Sequence, residues 1–419
     1  MPLARPDRTA LSQHLIRLAP ALLLALSGLS TPVEARPKLP DCQIVYDAGS
    51  SGTRLYVYEQ QGSSWKEHVG PKVSALADPV REFRGRHWSD RDVVNAEVIQ
   101  ALDQMRQDGP VDDKGQPAWT AFDWHDACRI TSARVLATAG MRLAEQQQRE
   151  RSQALWSDLS QRLQQALTQQ LGYRVPVEAR TLTGFEEGLY AWLAVRQATG
   201  REDFGIAEMG GASSQVTFPC PRCSGGDDAV RRVRIGKRMQ RMYSYSFLGL
   251  GQDEAPQVLG VAPACAYGVG ASQAGWQPQD CARTLALSDS ATPKAGALRD
   301  PFNFSLPARA GQPRGTARRI PTERADVKGW YLTGAFTYFD DKSVDRTCRQ
   351  RGKHAGDDSV ACFRPVYQQT YLDALGIPFS SPRQDASWTM GAVLCAANRC
   401  LQAEVRKPLT CRWSDRGCL

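Results

Sequence analysis

Two acidic residues occupy equivalent places in two similar segments, and holding a hard cation beside phosphate is chemistry they could perform. Asp47 closes an apolar run, Gln43-Ile44-Val45-Tyr46, and precedes Ala48-Gly49-Ser50-Ser51-Gly52-Thr53 and a second run, Leu55-Tyr56-Val57-Tyr58. Glu208 follows Phe204-Gly205-Ile206-Ala207 and precedes Met209-Gly210-Gly211-Ala212-Ser213-Ser214 and Gln215-Val216-Thr217-Phe218. Both segments read as strand, Gly/Ser turn, strand. Such a turn can expose backbone N–H groups and hydroxyls to an anion, because glycine tolerates positive φ and lets the backbone approach closely. An ordinary tight turn explains either segment alone. The pair, each with an acid before it, favours phosphate, and Asp47 and Glu208 are the natural holders of Mg²⁺ or Ca²⁺, which prefer oxygen ligands. A Walker loop is excluded, since G-x-x-x-x-G-K-[S/T] is absent and a strand follows each turn.

A candidate general base lies between them, in Thr183-Gly184-Phe185-Glu186-Glu187-Gly188-Leu189-Tyr190-Ala191-Trp192. Thr183 and Glu186 have capping-box spacing, and Leu189, Trp192 and Leu193 form a packing stripe, so Glu187 is free of both duties. Near a helix N-terminus it would stay ionised and could take a proton from water; an acid that merely complements the helix dipole is the plainer alternative. In Leu136-Ala137-Thr138-Ala139-Gly140-Met141-Arg142, a strand enters a small-residue turn with a hydroxyl and a guanidinium at its tip. Arg142 could bind phosphate bidentately or sit in a structural ion pair.

The elements that must carry these residues are strands and helices in two similar halves. The acids are about 160 residues apart, which suits two duplicated lobes, each offering one hairpin to a shared cleft, rather than a solenoid. A chain of 419 residues is also longer than a single core normally supports. Leu155, Leu159, Leu163 and Leu167 predict a scaffold helix stopped by Gly172. Residues 286–330 are rich in Pro, Gly, Ser and Arg and read as surface loops; Asn303-Phe304-Ser305 within them is a glycosylation sequon.

Charge and cysteine usage place the protein. With 52 basic and 44 acidic residues interspersed, the +8 excess is a mild bias toward anionic partners and not a nucleic-acid signature. Twelve cysteines allow six bridges in an oxidising compartment. Arg5, Arg8 and Arg17 precede the apolar run Leu18 to Leu29, and Val33-Glu34-Ala35 fits a signal-peptidase site. The run is too short to span a bilayer, so residues 1–35 are expected to be a cleaved signal peptide of a secreted or periplasmic protein without a stable membrane span.

Taken together, Asp47–Arg54 (DAGSSGTR), Thr138–Arg142 (TAGMR), Gly184–Trp192 (GFEEGLYAW), Glu208–Gln215 (EMGGASSQ) and Ser387–Leu394 (SWTMGAVL) resemble, in order, the five conserved regions of the apyrases, the nucleoside triphosphate diphosphohydrolases. Tyr243–Gly251 (YSYSFLGLG) fits the same pattern. The resemblance implies an α/β fold of two actin-like, ribonuclease-H-like lobes with an interlobe active-site cleft: 36–178 as the first part of lobe I, 179–388 as lobe II and 389–419 returning to lobe I. It implies a hydrolase of terminal phosphates of nucleoside tri- or diphosphates that needs Mg²⁺ or Ca²⁺. By motif position, Ser50, Ser51, Gly52 and Thr53 would contact phosphate, with Gly210, Gly211 and Ala212 on the facing turn and Thr138 and Arg142 in support. Asp47 and Glu208 would hold the hydrated cation. Glu187 would be the base, with Ser213 and Gln215 positioning water for in-line attack without a phosphoenzyme.

Three positions depart from the family's pattern: Glu208 stands where Asp is usual, Arg196 where Asn is frequent, and Ile377 where relatives often carry a base-stacking Tyr. Tyr338 and Phe379 are the remaining base-stacking candidates. Two alternatives use similar residues: an exopolyphosphatase or guanosine-pentaphosphate phosphohydrolase of the same superfamily, and a nucleotide-binding module with low turnover. Cys220-Pro-Arg-Cys223 reads as a local disulfide; Cys265/Cys281, Cys348/Cys362, Cys395/Cys400 and Cys411/Cys418 are pairings suggested only by nearness in sequence.

Overall fold

A computed structural model describes residues 39–224, 229–259, 265, 278–286, 320–340, 342 and 362–401. The expected signal peptide, the sequon at Asn303 and Cys348, Cys411 and Cys418 lie outside the described residues. The chain forms two mixed five-stranded sheets. The first contains β1 (Asp41–Gly49), β2 (Gly52–Gln61), β3 (Ser64–Val73), β4 (Arg129–Ala137) and β5 (Val177–Thr181), ordered β3-β2-β1-β4-β5. The second contains β6 (Gly205–Met209), β7 (Ser213–Pro219), β8 (Val230–Ile235), β9 (Arg238–Leu248) and β10 (Trp330–Gly334), ordered β10-β6-β7-β9-β8.

The duplication expected from the two hairpins runs deeper than the hairpins. In each sheet the acid-bearing strand, β1 or β6, pairs antiparallel with the next strand and parallel with a later one, β4 or β10. β5 then extends the first sheet, while in the second a single parallel bridge from Leu332 to Arg383 stands in the equivalent place. The expected boundary at 178/179 falls inside β5, whose pairing with β4 assigns residues through Thr181 to the first sheet.

Helices α1 (Ala77–Arg81), α2 (Arg91–Gln104), α3 (Trp124–Ala127), α4 (Ala139–Gln147) and α5 (Arg149–Leu171) accompany the first sheet; α7 (Ala255–Leu259), α8 (Pro278–Ala286) and α9 (Phe363–Leu375) follow the second hairpin. The Leu155–Leu167 stripe of α5 is fully buried against the first sheet's core, and Gly172 ends the helix at φ 75°, as the spacing predicts. Two further helices cross between the sheets. α6 (Gly184–Thr199) leaves the first sheet and packs on β7 and β9 of the second; α10 (Trp388–Asn398) follows the Arg383 bridge and packs on β1 and β2 of the first. Each starts at a capping hydroxyl, Thr183 in the predicted capping box and Ser387.

The two crossing helices also pack on each other and build a core between the sheets with Val45, Tyr58 and Leu136 on one side and Phe204, Ile206 and Met242 on the other. Polar ties lock α10 in place: Tyr58 Oη pairs with Thr389 Oγ1 at 2.6 Å, and Arg134 Nη1 donates to the Ala392 carbonyl at 3.1 Å. Disulfides join Cys42–Cys128, Cys220–Cys223, Cys265–Cys281 and Cys395–Cys400. The last three match the sequence reading; the first staples β1 to the start of β4 across 86 residues, which spacing alone did not suggest.

The helices meet at Gly391, where a Cβ would stand 1.8 Å from the Tyr190 carbonyl oxygen. Alanine favours a helix over glycine by about 1 kcal/mol, but forcing the two backbones apart costs about 1–3 kcal/mol or more. Gly391→Ala is therefore expected to lower the denaturation midpoint despite its better helix propensity. An unchanged or raised midpoint would show that the crossing is looser than this.

Candidate active site

A cleft of about 700 Å³ opens between the ends of the two hairpins. Asp47, Ser50, Ser51, Thr138, Glu187, Glu208, Gly210, Gly211, Ala212, Ser213 and Tyr338 all line it, so eleven of the sixteen residues singled out from sequence come together. The elements explain the convergence. Asp47 lies in β1, two residues before a two-residue turn closed by the Gly49–Gly52 pair; Glu208 holds the matching place in β6. Thr138 is the N-cap of α4 and makes no capping bond with its side chain. Glu187 is in the first turn of α6, whose close seat on the second sheet depends on Gly188: a Cβ there would meet Ser244 and Thr217 within 2.4 Å.

Five residues do not line the cleft. Gly52 is covered by Lys72, and Thr53 is fully buried because side chains alternate along β2 and its own points away from the cleft. Arg54, the next residue, takes the cleft face instead. Phe379 is buried in the second sheet's core with the Arg383 guanidinium over its ring, so of the two base-stacking candidates Tyr338 is the one at the cleft, where Tyr56, Trp65 and Trp388 also line the wall. Arg142 sits in α4, not at a turn tip; it stands behind Glu187, and its far side borders a separate cavity of about 430 Å³. Gln215 is fully buried and reaches the cleft only through Ser213.

Behind the cleft wall, the polar groups form a connected set, in which Arg142 Nε and Gln215 Oε1 are left without a partner among the described residues. Arg142 pairs with the Glu187 carboxylate and donates to Ser246 Oγ (3.0 Å) and Ser213 Oγ (3.1 Å). Gln215 Nε2 donates to the same two hydroxyls, at 2.7 Å to Ser213 and 2.9 Å to Ser246. Ser213 in turn hydrogen-bonds Glu187. Gly184 makes this possible, since a Cβ there would stand 2.4 Å from Ser246 and 2.7 Å from Arg142 Nη1. Ser246 was not singled out from sequence, although it lies in the YSYSFLGLG segment, where a Ser alternating with aromatics on a strand marks a polar position in an apolar element.

Three carboxylates share this small volume. Burial pushes the Asp47 carboxyl up to about 7, helped by the nearby Glu187 charge and opposed by Lys72, Arg54 and a hydrogen bond from Trp388. Burial, then the charges of Glu187 and Asp47, holds Glu208 far above the usual carboxylate range. Glu187 is raised by burial too, but the Arg142 charge and the bonds from Ser213 and Arg142 oppose that rise. One acid thus has a counter-cation while the other two repel each other. Glu208 Oε2 is moreover a buried acceptor with no hydrogen-bond partner, a costly state for such a group.

A cation shared by Asp47 and Glu208 would relieve both costs, so these residues fit a divalent ion. Among the described residues, no three His, Cys, Asp or Glu side chains form a cage. Magnesium commonly uses one or two carboxylates and completes its shell with water and phosphate. The longer Glu208 side chain is accommodated at Gly334, where φ is 65° and a Cβ would stand 2.8 Å from Glu208 Oε1.

Residues 125–260 match the GDA1/CD39 (nucleoside phosphatase) family. It is 28% identical over 236 residues to probable apyrase 6 of Arabidopsis thaliana, covering 51% of this chain and 36% of that one. It is 27% identical over 279 residues to ectonucleoside triphosphate diphosphohydrolase 2 of Mus musculus, covering 58% and 50%. The chain therefore spans half or less of the length of these relatives. Among solved structures, the Aquifex aeolicus Ppx/GppA phosphatase aligns with a TM-score of 0.46 at 14% identity, covering 84% of this chain and 98% of that one. Nucleoside triphosphate hydrolase from Neospora caninum aligns with a TM-score of 0.46 at 15% identity, covering 84% and 92%.

In the Arg142–Glu187 pair the carboxylate is buried and the guanidinium mostly so, and removing one partner of a buried pair costs about 3–5 kcal/mol. Arg142→Met is expected to lose about that much stability by chemical denaturation, and Arg142→Met combined with Glu187→Gln to regain most of it. Equal losses in the single and double variants would mean that the two charges are not coupled.

Proposed function

We propose that the protein hydrolyses the terminal phosphate of nucleoside tri- or diphosphates, with a divalent cation, in an oxidising compartment outside the cytoplasm. The observation that carries this reading is Glu187: a buried carboxylate kept toward its ionised form by Arg142 and Ser213, on a crossing helix that sets it between two facing Gly/Ser turns. The match of residues 125–260 to the nucleoside phosphatase family supports the substrate class. Four disulfides among the described residues support export, and no helix among those residues is long and apolar enough to cross a membrane.

In this mechanism the phosphate chain sits between Ser50–Ser51 and Gly210–Ala212, and the α4 N-terminus with the Thr138 hydroxyl adds dipole and donor to the same anion. Glu187 takes a proton from water as the water oxygen bonds to the terminal phosphorus in line with the bridging oxygen. The P–O bond to that bridging oxygen breaks, and its electron pair leaves with the shortened nucleotide. Ser213 fixes the carboxylate rotamer, and Gln215 acts one step back by holding Ser213. When bound, the cation held by Asp47 and Glu208 supplies charge neutralisation for the phosphate oxygens. Tyr338, 69% exposed at the cleft rim, offers its ring face to the nucleobase.

Purified protein should release orthophosphate from at least one of ATP, ADP, GDP or UDP with Mg²⁺ or Ca²⁺ and stop in excess chelator. Glu187→Gln should lose about 10²–10⁴-fold in kcat, the usual contribution of a general base. Cleavage of polyphosphate or guanosine pentaphosphate alone would transfer the protein to the exopolyphosphatase reading. Nucleotide binding without phosphate release would make it a binding module.

A further inference from the structure

The positive charge nearest the Ser50–Ser51 turn comes partly from a residue outside every motif named above. β3 runs beside β2 and sets Lys72 opposite Arg54, which is itself opposite Asp47 on β1. An acid and two bases thus form one row across three strands. The Lys72 ammonium donates to Ser51 Oγ at 3.1 Å, and its stem lies over Gly52, with Cε 2.3 Å from where a Cβ would stand. Glycine at position 52 is what lets this lysine reach the turn. Arg84 approaches the same turn from another side and donates to the Ser50 carbonyl at 2.6 Å.

Lys72 has no carboxylate partner among the described residues. Asp253, the acid across the cleft mouth, is engaged by Arg364 at 3.5 Å. Partial desolvation at the tip of this otherwise exposed side chain and the neighbouring Arg54 charge press the Lys72 ammonium below its ordinary pKa, with Asp47 and Asp253 only partly offsetting them. A cation whose hydrogen-bond partner is a neutral hydroxyl, next to a second cation, is under-compensated, and a multiply charged anion on the turn would correct that. Such an anion already has its donors in place at Ser50 and Ser51.

We propose that Lys72, with Arg54, is a substrate-binding residue that neutralises the phosphate group seated on the Ser50–Ser51 turn. This rests on the phosphohydrolase reading of the same cleft and adds a residue that the family motifs do not contain. The ammonium would swing from Ser51 Oγ onto a phosphate oxygen while Ser51 remains a donor to the same group.

The test uses the full-length protein, Lys72→Met and Lys72→Arg, with thermal unfolding as a check, since Lys72 is exposed and neither variant should shift the melting temperature. Losing a hydrogen bond to a charged group costs about tenfold or more in affinity. Lys72→Met should therefore raise KM for the nucleotide that the wild type hydrolyses, and the inhibition constant for orthophosphate, about tenfold each, with kcat changed less. It should also flatten the salt dependence of kcat/KM, while Lys72→Arg stays near wild type. Unchanged KM and phosphate inhibition in Lys72→Met, or equal impairment in both variants, would overturn the proposal. If the wild type hydrolyses no nucleotide, the functional reading fails separately. Calorimetric binding of orthophosphate to wild type and Lys72→Met then decides: weakened binding in the variant supports the assignment, and equal or absent binding in both overturns it.

Discussion

A carboxylate withdrawn from water needs a counter-charge, and the Arg142–Glu187 pair is the constraint around which the rest of this structure is arranged. Two more acids, Asp47 and Glu208, lie close enough to raise each other's proton affinity. Without Arg142, the rise that burial imposes on Glu187 would be opposed by the Ser213 hydrogen bond alone. The guanidinium is itself over-determined, since it bonds hydroxyls from β7 and β9 while rising from α4. Its own segment belongs with the first sheet and its hydroxyl partners with the second. Chemistry and interlobe packing are therefore one problem in this chain.

The crossing helices solve that problem. α6 departs from the first sheet but lies on the second, and α10 does the reverse. Each sheet thus receives the helix of the other, and Glu187 stands between both turns although it follows β5 by only a few residues. The two halves have diverged where their duties differ. Asp47 has an indole hydrogen bond from Trp388 at the start of α10, whereas Glu208 has a bare oxygen and the backbone of Gly334 beside it. A short acid with a donor and a long acid without one form an asymmetric pair, which suits a single ion approached from two lobes better than two equivalent sites.

Much of this was legible in the sequence wherever the determinant is local. Strand–turn–strand grammar located both hairpins, the Thr183–Glu186 spacing located the start of α6, and four leucines at intervals of four located α5. Even the facing of Arg54 was available, because a two-residue turn closed by Gly49 and Gly52 sets residue 54 opposite residue 47; assigning phosphate contacts by motif position placed Thr53 there instead. What was not legible depends on partners distant in sequence. Arg142 near Glu187 fits phosphate binding or an ion pair equally well until Ser213 and Ser246 are placed around it. Phe379 is an aromatic in the right region, and only the core formed by α9 and the second sheet shows that it is buried. The Cys42–Cys128 bridge is likewise a product of β1 pairing with β4, not of spacing.

Contact between the lobes on one side of the cleft bears on how the substrate of the proposed function would lie. On one side the lobes are in contact: the part-buried pair Arg81–Glu254 joins α1 to the segment before α7 at 2.7 Å, and Ser50 Oγ comes within 2.3 Å of the place a Cβ would take on Gly211. Glycine at 211 is therefore a condition of this approach, because any side chain would hold the two turns apart. In the proposed function, a nucleoside whose phosphate sits at the turns would extend away from this contact, toward Thr333, Ala335 and the exposed ring of Tyr338 on the cleft wall. The contact thus does for orientation what Arg142 does for protonation: each fixes one end of the reaction, and both do so by joining residues from the two halves of a duplicated chain.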